Sequence, residues 1–467
     1  MRNVFVAATG AGLLLVGATF AFAAELIPKG VFTIRNRKVV EESRGKVKEW
    51  VLVELLPLSK SRFLALAEVL AYKKPHSERK KPDPDSPVVK EGLPQILEEG
   101  HVLAIVTKEG KVIAESPLVP HLRGGGGVPG APQRTRALAM EENPDCPYAM
   151  LRVDREELWC FDYQLAKGAV YPVPLGAIEG AVPVVTSAGF EVWIFGQERT
   201  AEASPVTPSL WTELTRAPRI PHTLGLGLRT DTGELHELAV GGEKLAAALR
   251  QAAQSWLGAR KGWRLSGLRL RPGSATEPVH AANGVPVLVQ ALFQGLGEGG
   301  ESATSWLFFD GRLGEAGLLS LRQVSFSVVP ESGIKKARLN LKEMVLRVPE
   351  ASSLHSFSRI PLAAQNFLLG LTVVSAPEGK EVAEAQGYDA RFFTFLVTPS
   401  GVEVLPSSKF QDLASDKLST SDTWVWVFPM FIRGFGPSGD LLMDAECRSR
   451  RTEERTHPCA VWAEVRP

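Results

Sequence analysis

Along most of the chain, short runs of alternating apolar and polar residues come in pairs separated by turn residues. In Arg391–Pro406, Phe393, Phe395 and Val397 fall on one side of an extended run, and Pro399-Ser400-Gly401 supplies turn chemistry. Val402 and Val404 then resume the alternation. A period of two on either side of a proline–glycine turn predicts a β-hairpin. The same pattern predicts hairpins around Lys108-Glu109-Gly110 and around Asp231-Thr232-Gly233. Trp50–Leu58, Met150–Tyr163, Ala181–Gly196, Val285–Phe293, Ser305–Phe309, Leu318–Val329, Ala337–Val348 and Asn366–Val374 read as further strands. Arg62–Tyr72 suits either a helix or a buried strand. Trp424–Phe428 is apolar on both faces and reads as a buried strand.

The period changes once. In Glu243–Arg260, Leu245, Leu249, Ala252, Ala253, Trp256 and Leu257 share one face at helical spacing, with Gly258 and Gly262 as stops. One amphipathic helix at about 243–260 in a β-rich chain is expected to pack across a barrel end, a propeller edge or a domain junction.

A Thr-x-x-Gly turn recurs at Thr107–Gly110, Thr186–Gly189, Thr230–Gly233 and Thr398–Gly401. The glycines lie near multiples of roughly 42 positions, the size of a four-stranded propeller blade. The expected fold is mainly β, a propeller-like repeat of such units; two or three β-sandwich domains are the alternative.

Residues 1–23 read as a secretory signal peptide. Arg2 supplies the positive start, Val4–Phe20 is apolar and uncharged, and Ala21-Phe22-Ala23 fits the cleavage rule, so cleavage is expected after Ala23. Residues 24–74 form a basic β segment. Residues 75–90 read as a charged, proline-rich linker, and residues 91–467 as a β-rich body with a flexible Gly/Pro-rich loop at 120–136. No later stretch is apolar for long enough to span a bilayer as a helix. The expected location is periplasmic or secreted.

A net charge of +1 over 467 residues disfavours a dedicated nucleic-acid binder. The basic residues of Glu25–Lys90, among them Arg35, Arg37, Lys38, Lys73, Lys74, Lys80 and Lys81, suit an anionic envelope polymer or a plain solvated face. The four cysteines fall into two local pairs, and spacing favours disulfides Cys146–Cys160 and Cys447–Cys459 over a metal site.

Motifs with catalytic mechanics are sparse. Gly295-x-Gly297-x-x-Gly300 matches a dinucleotide fingerprint but lacks the helix whose N-terminus would meet a pyrophosphate, so it reads as a hairpin loop. There is no G-x-S-x-G elbow and no H-E-x-x-H. The Ser-x-x-Lys matches at Ser43, Ser77 and Ser332 lack companion motifs. His236, between Glu234 and Glu237, is the histidine best placed to have an acidic partner. No cofactor and no metal are expected.

Two features suit recognition. One is the loop Arg448–Pro458, where Arg448, Arg450, Arg451 and Arg455 would be held by a disulfide at its base. The other is Trp424 and Trp426, on one face of one strand. The chain is therefore expected to be a non-catalytic binding or assembly protein of the cell envelope, with a protein or envelope polymer as partner. The alternatives are an extracytoplasmic hydrolase acting on glycan or peptide, and a structural envelope component.

Overall fold

The computed structural model describes residues 25–33, 37–41, 46–58, 61–73, 95–107, 109–117, 136–140, 142–153, 157–198, 223–239, 242–258, 260–273, 277–297, 300, 302–350, 352–362, 365–375, 389–405, 419, 423–435, 440–449 and 457–466. The chain is mainly β, 68% strand with two short helices.

The strands form six sheets in chain order. Sheet I holds Arg37–Glu41, Lys46–Pro57, Arg62–Lys73, Gln95–Thr107 and Val112–Glu115. Sheet II holds Arg136–Ala139, Tyr148–Val153, Glu157–Asp162 and Gly168–Pro172. Sheet III holds Leu175–Thr186, Gly189–Glu198, Thr223–Arg229 and Leu235–Glu237, with the two-residue strand Val279–His280 running parallel beside Leu175–Thr186. Sheet IV runs from Arg264–Pro272 through Val285–Leu296 and Ser302–Gly314 to Gly317–Glu331, and then adds Val345–Pro349 and Arg338–Asn340. Sheet V is Ser353–Pro361, Phe367–Ser375, Asp389–Thr398 and Gly401–Leu405. Sheet VI is Thr423–Phe435, Asp440–Ser449 and His457–Arg466, and its fourth strand is Glu25–Thr33 from the other end of the chain.

Each sheet packs on the next. Leu56, Leu64, Leu66 and Leu103 of sheet I share a core with Ala149, Met150 and Phe161 of sheet II. Leu151, Leu158 and Cys160 of sheet II meet Val192, Ile194 and Leu228 of sheet III. Sheet IV is buried on both faces. Val287, Val289 and Phe293 pack with Val184, Trp193 and Phe195 of sheet III, while Leu288 and Phe308 pack with Phe357, Phe367 and Phe395 of sheet V. Two-sided burial is why Val285–Phe293 reads as a continuous apolar run rather than an alternating one. Strand Ser353–Pro361 lies against Thr423–Phe435, and Lys46–Pro57 lies against His457–Arg466, so sheet VI touches both sheet V and sheet I.

The expected helix is present as Gly242–Ala252 and Gln254–Gly258. Its buried residues Leu245, Leu249 and Ala253 join the core between sheets III and IV, the junction its apolar stripe required. The ambiguous run Arg62–Lys73 is a strand. Residues 75–90 connect two strands of sheet I that pair directly, Lys73 with Gln95. The loop at 120–136 lies almost wholly outside the described residues, as does the segment 1–23.

The even spacing is not found. The first strands of the six sheets, the N-terminal strand of sheet VI aside, begin at Arg37, Arg136, Leu175, Arg264, Ser353 and Thr423, intervals that differ more than twofold. The Thr-x-x-Gly turns recur for a local reason. In three of them the threonine hydroxyl accepts a backbone N–H of the turn: Lys111 N to Thr107 at 3.2 Å, Ala188 N to Thr186 at 3.2 Å, and Gly401 N to Thr398 at 3.1 Å. Gly110, Gly189 and Gly233 take φ of 78°, 121° and 75°, which favours glycine. The motif closes hairpins wherever one is needed and marks no period.

Candidate functional site

The two recognition features meet. Strands Thr423–Phe435 and Asp440–Ser449 pair so that Trp424 lies opposite Arg448 and Trp426 opposite Glu446. The register positions between them, Val425 and Cys447, are buried, and Arg448 is exposed. Cys447 and Cys459 form the expected disulfide, with Cα atoms 5.8 Å apart, and it staples strand Asp440–Ser449 to His457–Arg466 where their connection begins. Arg450, Arg451 and Arg455 lie outside the described residues, and the side chains of Trp424 and Trp426 are likewise not described.

The other expected disulfide is a correction: Cys146 and Cys160 are free and buried. Cys160 pairs across the sheet with Leu151, whereas Cys146 precedes that strand in a bridge with Asn143. The Cys146 thiol is turned to the Tyr148 carbonyl, 3.4 Å away. Burial pushes both thiols up, away from the thiolate form that a nucleophile needs.

The densest charge cluster among the described residues lies where sheets III, IV and V converge on their leading strands. Glu179 accepts from Arg269 Nε at 2.9 Å and Nη2 at 3.1 Å, and from Arg271 Nε at 2.8 Å. The Arg271 Nη1 donates to the Phe357 carbonyl at 2.7 Å, and Arg269 Nη1 to the Leu354 carbonyl at 3.3 Å. Both guanidiniums sit over the Phe357 ring, Arg271 at 4.7 Å from its centroid. Two residues beyond Phe357 on the same strand, Arg359 donates to Asp310 at 2.9 Å and covers the Phe367 ring. Burial pushes the Arg359 guanidinium down from its ordinary range, and the Asp310 carboxylate opposes that shift.

These contacts also orient the sheets. Arg269 reaches residue 354 and Arg271 reaches 357, while Glu179 and Gly180 lie beside Arg269 and Pro272. The leading strands Leu175–Thr186, Arg264–Pro272 and Ser353–Pro361 therefore run in the same direction. Sequence reading missed this cluster. The available signal was two arginines alternating with leucines (Leu268-Arg269-Leu270-Arg271) and one glutamate inside an apolar run.

His236 does have an acidic partner, but not a sequence neighbour. Its Nε2 lies 3.5 Å from Glu191, a buried carboxylate that also accepts from Trp193 Nε1 at 3.1 Å and Arg229 Nε at 3.5 Å. Gly227, directly opposite His236, leaves room for this. A Cβ there would sit 2.4 Å from the imidazole Cε1. The Gly295–Gly300 segment is a hairpin connection, with Gly300 N donating to Gly297 O at 3.1 Å and a strand following it. The Trp263 ring fills the space over Gly295. Among the described residues no group of three or more His, Cys, Asp or Glu is placed to hold a metal ion, and no helix is long and apolar enough to cross a membrane.

No protein-family model matches the chain, and no curated protein matches it in sequence.

Proposed function

We propose that the six sheets are the blades of an irregular six-bladed propeller, and that the protein is a non-catalytic binding or assembly protein of the cell envelope, working outside the cytoplasm. Three features support the propeller reading: sheets packed in chain order, leading strands that run parallel in sheets III to V, and a last sheet completed by the N-terminal strand. A β-sandwich would leave one face of each sheet to solvent, whereas sheet IV is covered on both.

The observation that carries the binding reading is the disulfide-pinned hairpin that sets exposed Arg448 beside the Trp424 position. Restraining such a surface in advance lowers the entropy lost on binding. A disulfide also fits an oxidising compartment, in line with the apolar N-terminal stretch and its cleavage pattern. The charge clusters described above fit a scaffold, because their buried carboxylates are committed to arginines rather than facing one another across a cleft, as glycosidase pairs do.

The test is crosslinking in cells of the tagged full-length chain, followed by affinity purification and mass spectrometry, with Arg448→Glu in parallel. One envelope component recovered in near-stoichiometric amount, and reduced by the substitution, is the expected result. A partner-free monomer that turns over glycan or peptide would replace this reading with the hydrolase. Edman sequencing of the exported protein is expected to begin at Ala24.

A further inference from the structure

The sixth sheet is assembled from both ends of the chain. Strand Glu25–Thr33 pairs antiparallel with His457–Arg466, from Glu25 opposite Arg466 to Thr33 opposite Cys459. Without it, the ten-residue strand His457–Arg466 would present an open edge, and an unpaired strand edge is a template for another strand.

Three features make this slot a site in its own right. First, the receiving edge does not depend on the strand that fills it. His457–Arg466 pairs with Asp440–Ser449 on its other side, and Cys447–Cys459 locks that pair covalently, with the disulfide directly opposite Thr33. Second, the occupant's ladder is interrupted once. Its register slips between Pro28 and Gly30, and Pro28 has no N–H to give to the ladder. Third, it is joined by residues 34–36 alone to Arg37–Glu41, which pairs in sheet I and not in sheet VI. A short connection between two sheets is the geometry in which a terminal strand can leave one body and enter another.

We propose that this slot accepts strand Glu25–Thr33 of a second copy, making sheet VI a self-assembly contact by strand exchange. The paired residues are identical in the closed monomer and the exchanged dimer, so the two differ mainly in the entropy of joining copies and in the connection at 34–36. In the monomer that connection gives the strand an effective concentration in the millimolar range. Single copies close on themselves at micromolar concentration, and the exchanged fraction rises in proportion to chain density below the millimolar range. Synthesis favours the encounter further. Strand Glu25–Thr33 is made about 420 residues before His457–Arg466, so at ordinary elongation rates each new chain carries the strand unpaired for about tens of seconds. This inference stands apart from the envelope reading and needs no envelope partner.

The experiment uses full-length chains carrying Leu26→Cys or Val465→Cys, positions that face each other in the register, and a short bis-maleimide crosslinker. The chain carrying both substitutions is expected to crosslink internally. That product reports the register. The two single variants, mixed at near-millimolar concentration, are expected to give a heterodimer whose crosslinked peptide joins positions 26 and 465. Its yield should be about tenfold above that of Leu26→Cys mixed with Glu403→Cys, an exposed position on the outer strand of sheet V. A labelled peptide of residues 24–34 should bind the wild-type chain, and binding should be lost once the double variant is crosslinked shut. An internal product with no heterodimer above that control and no peptide binding overturns the proposal. So does failure of the double variant to crosslink.

Discussion

Glu179 has 8% of its side chain exposed and two arginines as partners. Removing its charge takes a buried carboxylate partner from Arg271, itself 7% exposed. Glu179→Gln should therefore cost about 3–5 kcal/mol in urea unfolding. Replacing Glu179, Arg269 and Arg271 together by leucine or methionine should cost much less, because no unpaired charge remains. Gly227 offers a second test. Gly227→Ala places a methyl group where the His236 imidazole lies, so the ring must leave Glu191 or the strands must part, for about 1–3 kcal/mol. In a His236→Ala background the same substitution should cost clearly less, the remaining close contact being Glu191 Oε2 at 3.0 Å. A double-mutant cycle reads the difference as coupling between the two sites.

At the scale of elements, the hairpin of sheet VI and the turn tips carry the testable energetics. Cys447 and Cys459 are separated by 12 residues. By the chain-entropy model, replacing both by alanine should cost about 3 kcal/mol, read as a lower unfolding midpoint that added reductant reproduces in the wild type. Elsewhere, the tip of one hairpin in sheet III meets the tip of one in sheet IV. Glu315 accepts from the Ser187 backbone N–H at 2.7 Å and from its hydroxyl at 2.6 Å. These hydrogen bonds hold the Glu315 carboxyl below its ordinary value of 4.5. A depressed carboxyl stabilises fully above its unfolded pKa and loses that contribution as pH falls through its folded one. The protection factor of the Ser187 amide, corrected for the intrinsic pH dependence of exchange, should therefore hold at neutral pH and fall only once pH drops below the ordinary carboxyl value of 4.5. A Ser187 protection factor that does not change as the solution is acidified through that range would refute the tie. The hairpins themselves were legible in the sequence, because a turn and its two flanking strands lie within about ten residues of one another.

For the whole molecule, the Glu179 cluster ties sheets III, IV and V together through one carboxylate and two backbone carbonyls. The Glu179→Gln variant should lower hydrogen-exchange protection in all three sheets together rather than in sheet III alone. The pattern of hairpins did not reveal this level. The four Thr-x-x-Gly turns looked like a period because each solves the same local backbone problem, while the sheets they serve differ in length and in insertions. The two disulfide predictions were made on spacing alone, and one of them fails: Cys146 and Cys160 are close in sequence, yet strand register sets their partners, and it gives Cys160 to Leu151.

By itself the sequence determined what depends on nearest neighbours. It specified the strands by their period of two, the one helix by its apolar stripe, the turns by glycine and threonine chemistry, and the Cys447–Cys459 staple by a short loop. Tertiary structure alone decided what joins residues far apart in the chain: Glu191 with His236, Glu179 with two arginines about 90 positions away, Trp424 opposite Arg448, and the N-terminal strand beside the last one. The reason is physical. A local pattern records which face of an element seeks burial and carries no record of what will cover it. The choice of partner is made by register, sheet order and the satisfaction of buried charge, and these come into being only when the whole chain is packed.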